Sequence, residues 1–138
     1  MKIPFHQPLF PKDINPILKE SISSGWVTTG PKVALFEEKL SDYFEAKNVI
    51  LVNSCTAALH LGLAAIGLKS NDSFIVPTHT FVASVEVGEY LGAKPILVDI
   101  DPETLNINLD QVESLLNSDK QNNIKAIIPV HFAGQPVN

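Results

Sequence analysis

The residues best able to do chemistry lie where apolar segments end and small or hydroxyl-bearing residues begin. Residues 53–59, NSCTAAL, follow a continuous apolar run and open an alanine- and leucine-rich stretch. A turn that enters a helix from a parallel strand leaves backbone N–H groups free, and the helix dipole favours an anion beside them. The pattern predicts a phosphate-sized anion site at Thr56 and Ala57. An ordinary N-cap at Ser54 is the alternative that the spacing leaves open.

Two further segments combine aromatic and hydroxyl-bearing residues. Residues 77–84, PTHTFVAS, lie at the carboxyl end of a predicted strand, the edge at which open α/β sheets bind ligands. His79 or Phe81 could stack there on a flat ring, although an aromatic residue in a first helical turn is more often part of the core. Residues 24–31, SGWVTTGP, form a loop in which Trp26 is either a ligand contact or a buried anchor.

Other polar residues favour structural roles. His131, in the segment IPVHFAGQP, could be a base, but a histidine at the end of an apolar strand is more often held by a structural hydrogen bond. Asp99 and Asp101 indicate a strand end and a turn rather than a ribose or metal site. The single cysteine excludes a zinc cluster of thiolates. The histidines, His6 included, are not spaced as metal ligands, so no metal is expected.

The elements that position these residues alternate between helix and strand. Strands are predicted over 48–54, 73–77, 95–100 and 124–131, and helices over 13–23, 31–44, 54–67, 78–92 and 108–116. This alternation indicates an α/β fold with a mostly parallel sheet, flanking helices and right-handed crossovers. Because no helix follows the fourth predicted strand, we expect an unpaired edge, an uncovered apolar face and hence self-association.

Composition narrows the possible partners. The 138 residues are 45% apolar and 18% charged, and the net charge of -5 argues against nucleic acid as a partner. All ten basic residues are lysines, so an anion site must use backbone N–H groups, hydroxyls or lysine rather than a guanidinium. The chain shows no signal peptide and no apolar run of ~18 residues. We therefore expect a cytoplasmic protein without a membrane partner.

Taken in order, five segments resemble the motifs of one family: SGWVTTGP, NSCTAAL, PTHTFVAS, VDIDPETLNI and IPVHFAGQP. They are similar to those of the DegT-type aminotransferases, from about Ile3 to Asn138. The resemblance implies a fold-type-I enzyme that uses pyridoxal 5′-phosphate (PLP). It also implies that the enzyme transfers an amino group, typically from glutamate, to a keto sugar attached to a nucleotide.

The resemblance also implies residue roles. Thr56 and Ala57 would bind the PLP phosphate through backbone N–H groups and the threonine hydroxyl, with Cys55 beside them. Phe81 would stack on the pyridine ring, and His131 would be mainly structural. The residues that line the mouth of the site near the sugar would be Trp26, Thr28, Thr29 and Gly30.

The family's remaining machinery is expected outside this chain. PLP chemistry needs a lysine that forms a Schiff base and a carboxylate at the pyridine nitrogen. The resemblance implies that both lie further along, so no catalytic residue is assigned here. Residues 1–138 would be the N-terminal portion of the large PLP-binding domain, without the catalytic-lysine region or the small C-terminal domain. We expect such a chain to be inactive alone and to bind PLP weakly or not at all, and we expect the family enzyme to be a homo-oligomer.

Two other functions remain open. The chain could be a non-catalytic binding or interaction module that keeps the first half of the fold. It could also be a small Rossmann-like nucleotide binder, although the glycine fingerprint G-x-G-x-x-G of such proteins is absent from the sequence.

Overall fold

The computed structural model describes residues 2–4 and 7–138. They divide into two compact units, Met1–Leu51 and Val52–Asn138, called here unit 1 and unit 2. Unit 1 contains helices α1 (Ile14–Ser23) and α2 (Pro31–Phe44), as predicted. Proline suits the first position of α2 because its missing N–H would have no partner there. Across the described residues, no helix is both long and apolar enough to cross a membrane.

Most of the large apolar residues of α1 and α2 are exposed, while Ile14, Val33 and Leu40 are half-buried. Neither α1 nor α2 contains a buried residue within the described part of the chain. Ile22 of α1 is 69% exposed and Phe44 of α2 is 65% exposed. Lys32 joins the two helices by contacting the Glu20 carboxylate at 3.2 Å, an exposed ion pair that adds little stability. Unit 1 thus presents amphipathic helices whose apolar sides remain available for contact.

Unit 2 contains a parallel sheet. Over the described residues its strands are β1 (Ser73–Pro77), β2 (Lys94–Val98) and β3 (Ile124–Ile127), in the order β2-β1-β3. All three pair in parallel, with β1 in the centre. The side chains of Phe74, Ile75 and Val76 are fully buried, as expected for a central parallel strand covered on both faces. The strand β3 lies at an edge of this sheet.

Helices cover both faces of the sheet. On one face, Phe74 and Val76 pack with residues of α3 (Cys55–Ala65) and α4 (Ala83–Glu89). On the other face, Ile75 packs with Val112 of α5 (Leu109–Ser118). A short 3-10 helix, Phe132–Gly134, follows β3. The predicted α/β class, with a mostly parallel sheet and flanking helices, is confirmed.

The strand predicted over 48–54 is wrong, because the structure assigns no strand to these residues. Ile50 is 78% exposed. A continuous apolar run forms a strand only where a neighbouring strand accepts its hydrogen bonds, and no described residue pairs with this run. The N–H of Leu51 instead donates to Oε1 of Glu37 at 2.8 Å.

The fourth predicted helix is shorter than 78–92, and its inner face differs from the prediction. The Thr78 N–H donates to the Val98 carbonyl at 2.8 Å, so the chain continues beside β2 before α4 begins at Ala83. Phe81 therefore precedes the helix and is 75% exposed, although it was predicted to point inward. Tyr90, at the C-cap of α4, is 62% exposed.

A glycine sets how closely α4 approaches the sheet. Gly88 is buried in α4, and a Cβ atom at this position would overlap the ring of Phe74. The fully buried Phe74 ring thus occupies the space that any other residue would need. Close packing of helix on strand, rather than helix propensity, explains a glycine inside this helix.

Candidate functional site

The carboxyl ends of the parallel strands of unit 2 meet at one edge of the sheet, the usual ligand side of such folds. Residues 78–81 follow β1 there, and residues 128–132 follow β3. The rings of His79 and Phe132 lie with centroids 4.3 Å apart and planes inclined by 37°. This aromatic contact joins the ends of β1 and β3, and the sequence did not predict it.

The first turn of α3 contains the predicted anion site. Ser54 is the N-cap, and its Oγ accepts a hydrogen bond from the Ala57 N–H at 3.1 Å. The N-cap alternative is thus confirmed, and the prediction of a free N–H at Ala57 is wrong because the Ser54 hydroxyl occupies it. Among residues 2–4 and 7–138, no acceptor receives the N–H of Cys55 or Thr56. Two donors, with the Thr56 hydroxyl beside them, remain at the positive end of the helix dipole.

The remaining cofactor candidates also lie in unit 2. Cys55 is an exposed free thiol at the start of α3. Phe81 immediately precedes the turn into α4, and α4 packs against α3. Because the ring of Phe81 is exposed and takes no part in either core cluster, it can contact a ligand without disturbing the core.

The predicted substrate loop lies in unit 1, and a hydrogen bond from the Trp26 side chain to the Thr29 backbone joins two parts of this loop. The Trp26 Nε1–H donates to the carbonyl oxygen of Thr29 at 2.8 Å. A Cβ atom on Gly30 would overlap the Trp26 indole, so this position requires glycine. The indole is 57% exposed. An open cleft of about 390 Å³ lies beside it, and its lining includes Glu20, Ser24, Trp26, Thr28, Lys32 and Leu35.

Asp101, in the connection between β2 and α5, makes hydrogen bonds within the fold. Asp101 Oδ1 accepts hydrogen bonds from the N–H groups of Thr104 at 2.8 Å and Glu103 at 3.0 Å. The hydrogen bond from the Thr104 N–H, then the one from the Thr104 hydroxyl at 3.0 Å and then the one from the Glu103 N–H lower the pKa of Asp101 below its ordinary value. The turn predicted at Asp101 is confirmed. Over residues 2–4 and 7–138, no cluster of His, Cys, Asp and Glu is arranged to hold a metal ion; His6 lies outside the described residues.

Asn106 is the site residue that sequence reasoning missed. It is buried, with 5% of its surface exposed. Its side chain makes hydrogen bonds with the backbone of the segment after β3, to Phe132, Gln135 and Pro136. The available signal was an amide residue between two apolar residues, Leu105 and Ile107, next to the N-terminus of a helix. For His131 the sequence left a base and a structurally hydrogen-bonded residue as alternatives. The structure shows the structural bond, since its Nδ1 accepts from the Val137 N–H at 3.0 Å.

Comparison with known proteins defines the family. The model of the DegT/DnrJ/EryC1/StrS aminotransferase family matches residues 10–138. An uncharacterized protein of Methanocaldococcus jannaschii, MJ1066, is 42% identical over 133 residues, which are 96% of this chain and 33% of that protein.

Solved structures agree with this match. The PLP form of Spr1654 from Streptococcus pneumoniae, a candidate sugar aminotransferase, superposes with a TM-score of 0.87 and 35% identity. The match covers 100% of this chain and 34% of that one. A DegT DnrJ EryC1 StrS aminotransferase from Brucella abortus superposes with a TM-score of 0.80 and 34% identity, over 91% of this chain and 34% of its own.

The architecture and these similarities are those of the fold-type-I PLP aminotransferases, a class of α/β enzymes. The chain belongs to the DegT/DnrJ/EryC1/StrS aminotransferase family. It spans about a third of the length of the relatives that it matches.

Proposed function

We propose that this chain supplies the phosphate-binding turn and a ring-stacking residue of a PLP-dependent aminotransferase. The enzyme would transfer an amino group, from an amino acid such as glutamate, to a keto sugar attached to a nucleotide. The observation that carries the proposal is the first turn of α3, where the N–H groups of Cys55 and Thr56 are unpaired among the described residues. The family membership and the similarity to the PLP form of Spr1654 support it.

The chemistry of this turn fits a phosphate. An anion there would receive the N–H groups of Cys55 and Thr56 and the Thr56 hydroxyl. The positive end of the helix dipole would replace the guanidinium that the chain lacks. Because the Ala57 N–H is held by Ser54, Ala57 would contribute its small side chain, which leaves room for a phosphate to approach, instead of a hydrogen bond.

The exposed ring of Phe81 fits the flat face of a pyridine. Stacking of an aromatic residue on a ligand ring contributes roughly 0.5–1.5 kcal/mol beyond the buried area. When bound, PLP supplies an electron sink that stabilises negative charge developing on the carbon that bears the amino group. The proposed task of Phe81 is to hold the plane of that ring, while the turn at Thr56 holds its phosphate.

For the sugar substrate we propose the loop of unit 1. Since the Trp26 N–H is bonded to Thr29 within the loop, Trp26 would offer its indole face rather than a hydrogen-bond donor. Gly30 would allow the indole to lie against the backbone, and the sugar would meet the hydroxyl of Thr28. The residues proposed to line the sugar site are Trp26, Thr28, Thr29 and Gly30.

We assign no catalytic lysine to any of the ten lysines of the chain. The proposal therefore includes that this chain alone does not aminate a keto sugar, and that the complete enzyme works in the cytoplasm as a homo-oligomer. An assay of the chain with PLP, glutamate and a nucleotide-linked keto sugar should yield no amino sugar. Detection of the aminated product would contradict the proposed inactivity.

A PLP titration tests directly whether the N–H groups of Cys55 and Thr56 bind the phosphate of the cofactor. Titration of the isotope-labelled chain with PLP should shift the amide signals of Cys55 and Thr56 first. Thr56→Val removes the hydroxyl and keeps the side-chain shape, so PLP binding should weaken about tenfold, the loss of one hydrogen bond to a charged group. Thr28→Val in unit 1 is the matched control and should leave this affinity unchanged. Equal affinities in the wild type and Thr56→Val would refute the proposed phosphate site.

A further inference from the structure

We propose that Asn106 is a positioning residue that holds the segment after β3 and thereby fixes the orientation of His131 and Phe132. These two residues lie at the carboxyl edge of the sheet. Asn106 would thereby determine how this edge of the site is built, through the contacts of one buried amide.

The side chain of Asn106 uses all of its hydrogen-bonding groups on this segment. Its Oδ1 accepts from the Phe132 N–H at 3.1 Å. Its Nδ2 donates to the carbonyl oxygens of Gln135 at 3.2 Å and Pro136 at 3.1 Å. The partners lie 26–30 residues further along the chain. A buried amide with every polar atom satisfied is a rigid connection, because breaking any bond leaves a desolvated group without a partner.

Asn106 is itself held firmly. Its carbonyl oxygen accepts from the Asp101 N–H at 2.8 Å, within the turn that follows β2. The next residue, Ile107, is 3% exposed and belongs to the core cluster on the α5 face of the sheet. The amide therefore connects the segment after β3 to the core, and not to another surface loop.

The segment that Asn106 holds carries two groups able to contact a ligand. His131 Nδ1 accepts from the Val137 N–H at 3.0 Å. An acceptor nitrogen bears no proton, so this bond assigns the neutral ring a proton on Nε2, where it is a donor. The ring of Phe132 contacts His79 at the end of β1. Asn106 binds the segment at residue 132 and again at residues 135 and 136, and so restrains both groups.

The link to catalysis rests on the proposed function, because only a ligand at this edge would meet the His131 Nε2–H and the Phe132 ring. The restraint that Asn106 places on the segment after β3 does not depend on the proposed function. A measurement on the chain without PLP therefore tests the role of Asn106 alone, while the Thr56→Val titration tests the cofactor site alone.

The test compares Asn106→Ala and Asn106→Asp with Asn117→Ala, the same truncation at an exposed position of α5. Two quantities are measured on the full chain: hydrogen exchange of the Phe132 and Val137 amides, and the ¹⁵N chemical shifts of the His131 ring. In the wild type we expect a protonated Nε2, an unprotonated Nδ1 and slow exchange of both amides. In Asn106→Ala both amides should exchange at least ~10-fold faster, and the ring should become a mixture of tautomers. Asn117→Ala should match the wild type.

The aspartate variant separates the two halves of the contact. Its carboxylate keeps the acceptor for the Phe132 N–H but loses the donors to Gln135 and Pro136. Protection should persist at Phe132 and be lost at Val137. Wild-type exchange and a wild-type tautomer in a folded Asn106→Ala chain would overturn the proposal. If neither variant folds, the wild-type chain decides: fast exchange of the Phe132 amide, whose N–H donates to Asn106 Oδ1, would overturn the proposal as well.

Discussion

The Ser54 hydroxyl determines which backbone N–H groups in the first turn of α3 are hydrogen-bonded within the fold and which stay free for a ligand. It takes the Ala57 N–H and leaves those of Cys55 and Thr56 unpaired among the described residues. Trp26 shows the same division, because its indole N–H is bonded to Thr29 and only its ring face remains. At the scale of residues, internal hydrogen bonds thus determine which groups remain for chemistry.

Ser54→Ala should separate the cap from the anion site. Loss of an N-cap typically costs about 1 kcal/mol, which lowers the melting temperature by roughly 4 °C in a chain of this size. Phosphate binding should persist, because the N–H groups of Cys55 and Thr56 are unchanged. Thermal unfolding and a phosphate titration check both effects. Ser114→Ala, at an exposed position of α5, is the control, and an unchanged melting temperature for Ser54→Ala would contradict the cap.

Phe81→Leu should weaken PLP binding several-fold through the lost stacking. Its stability should stay within about 0.5 kcal/mol of the wild type's, since the ring is 75% exposed. Phe74→Leu makes the same change at a fully buried ring and should lower the free energy of unfolding by more than 1 kcal/mol. Urea unfolding and PLP titration of both variants measure the contrast. A loss of stability in Phe81→Leu would show that its ring packs in the core.

Asp101 should make stability depend on pH in the acid range. The Thr104 N–H, the Thr104 hydroxyl and the Glu103 N–H hold its pKa below the ordinary value of 3.8, so the folded state favours the carboxylate. The resulting stabilisation is complete above the ordinary pKa and is lost as the pH falls through the lowered one. The stability advantage of the wild type over Asp101→Asn should thus be larger at pH 7 than at pH 3, as measured by urea unfolding. An advantage independent of pH would contradict this assignment.

At the scale of elements, tertiary packing changes the side-chain contacts and residue choices that helix capping and helix propensity alone would favour. Asn108 is the N-cap of α5, since its Oδ1 accepts from the Gln111 N–H at 3.0 Å. In a capping box the Gln111 side chain would bond back to the Asn108 N–H, but its Oε1 accepts from the Asp99 N–H at 3.1 Å instead. The side chain of Gln111 thus connects α5 to the end of β2. Gly88 in α4 is likewise explained by close packing against the Phe74 ring rather than by helix propensity.

Gly88→Ala should destabilise the protein although alanine is the better helix former. By propensity alone the change would stabilise α4 by about 1 kcal/mol, but the new methyl group overlaps the Phe74 ring. Overpacking of this kind costs about 1–3 kcal/mol. Gly62→Ala in α3 is the matched control, because nothing lies within 4 Å of a Cβ atom there, and it should raise stability. Denaturant unfolding of both variants measures the difference, and a stabilised Gly88→Ala chain would contradict the packing argument.

At the scale of the whole molecule, exposed apolar surface favours association. Large apolar residues of α1 and α2, such as Ile22 and Phe36, are exposed, and Ile127 of the edge strand β3 is 42% exposed. Such surfaces are typical of interfaces between chains. They also favour the alternative of a non-catalytic interaction module, which differs from the proposed enzyme part in requiring no PLP binding.

The chain should therefore sediment as a species larger than its 15.0 kDa monomer. Phe36→Glu places a charge on the exposed stripe of α2 and should shift the equilibrium toward the monomer. Lys39→Glu, on the same helix, changes charge without removing an apolar side chain and should have the smaller effect. Analytical ultracentrifugation over a range of concentrations measures this, and a well-folded wild-type monomer throughout would contradict the prediction.

The sequence by itself determined what depends on near neighbours along the chain. The start of α2 at Pro31, the caps at Ser54 and Asn108, and the central strand over 73–77 all follow from propensity, capping and apolar patterning within a few residues. The order of motifs also determined the family, and with it the candidate residues for phosphate, ring and sugar.

The tertiary structure alone decided what depends on distant partners. Residues 48–54 have a strand-like composition, but a strand needs a hydrogen-bonded neighbour, and no described residue provides one. Phe81 is exposed because the contact of Thr78 with β2 delays the start of α4. The partners of Asn106 lie 26–30 residues away. Local patterns do not encode such contacts, because they form only after the sheet has brought the ends of its strands together.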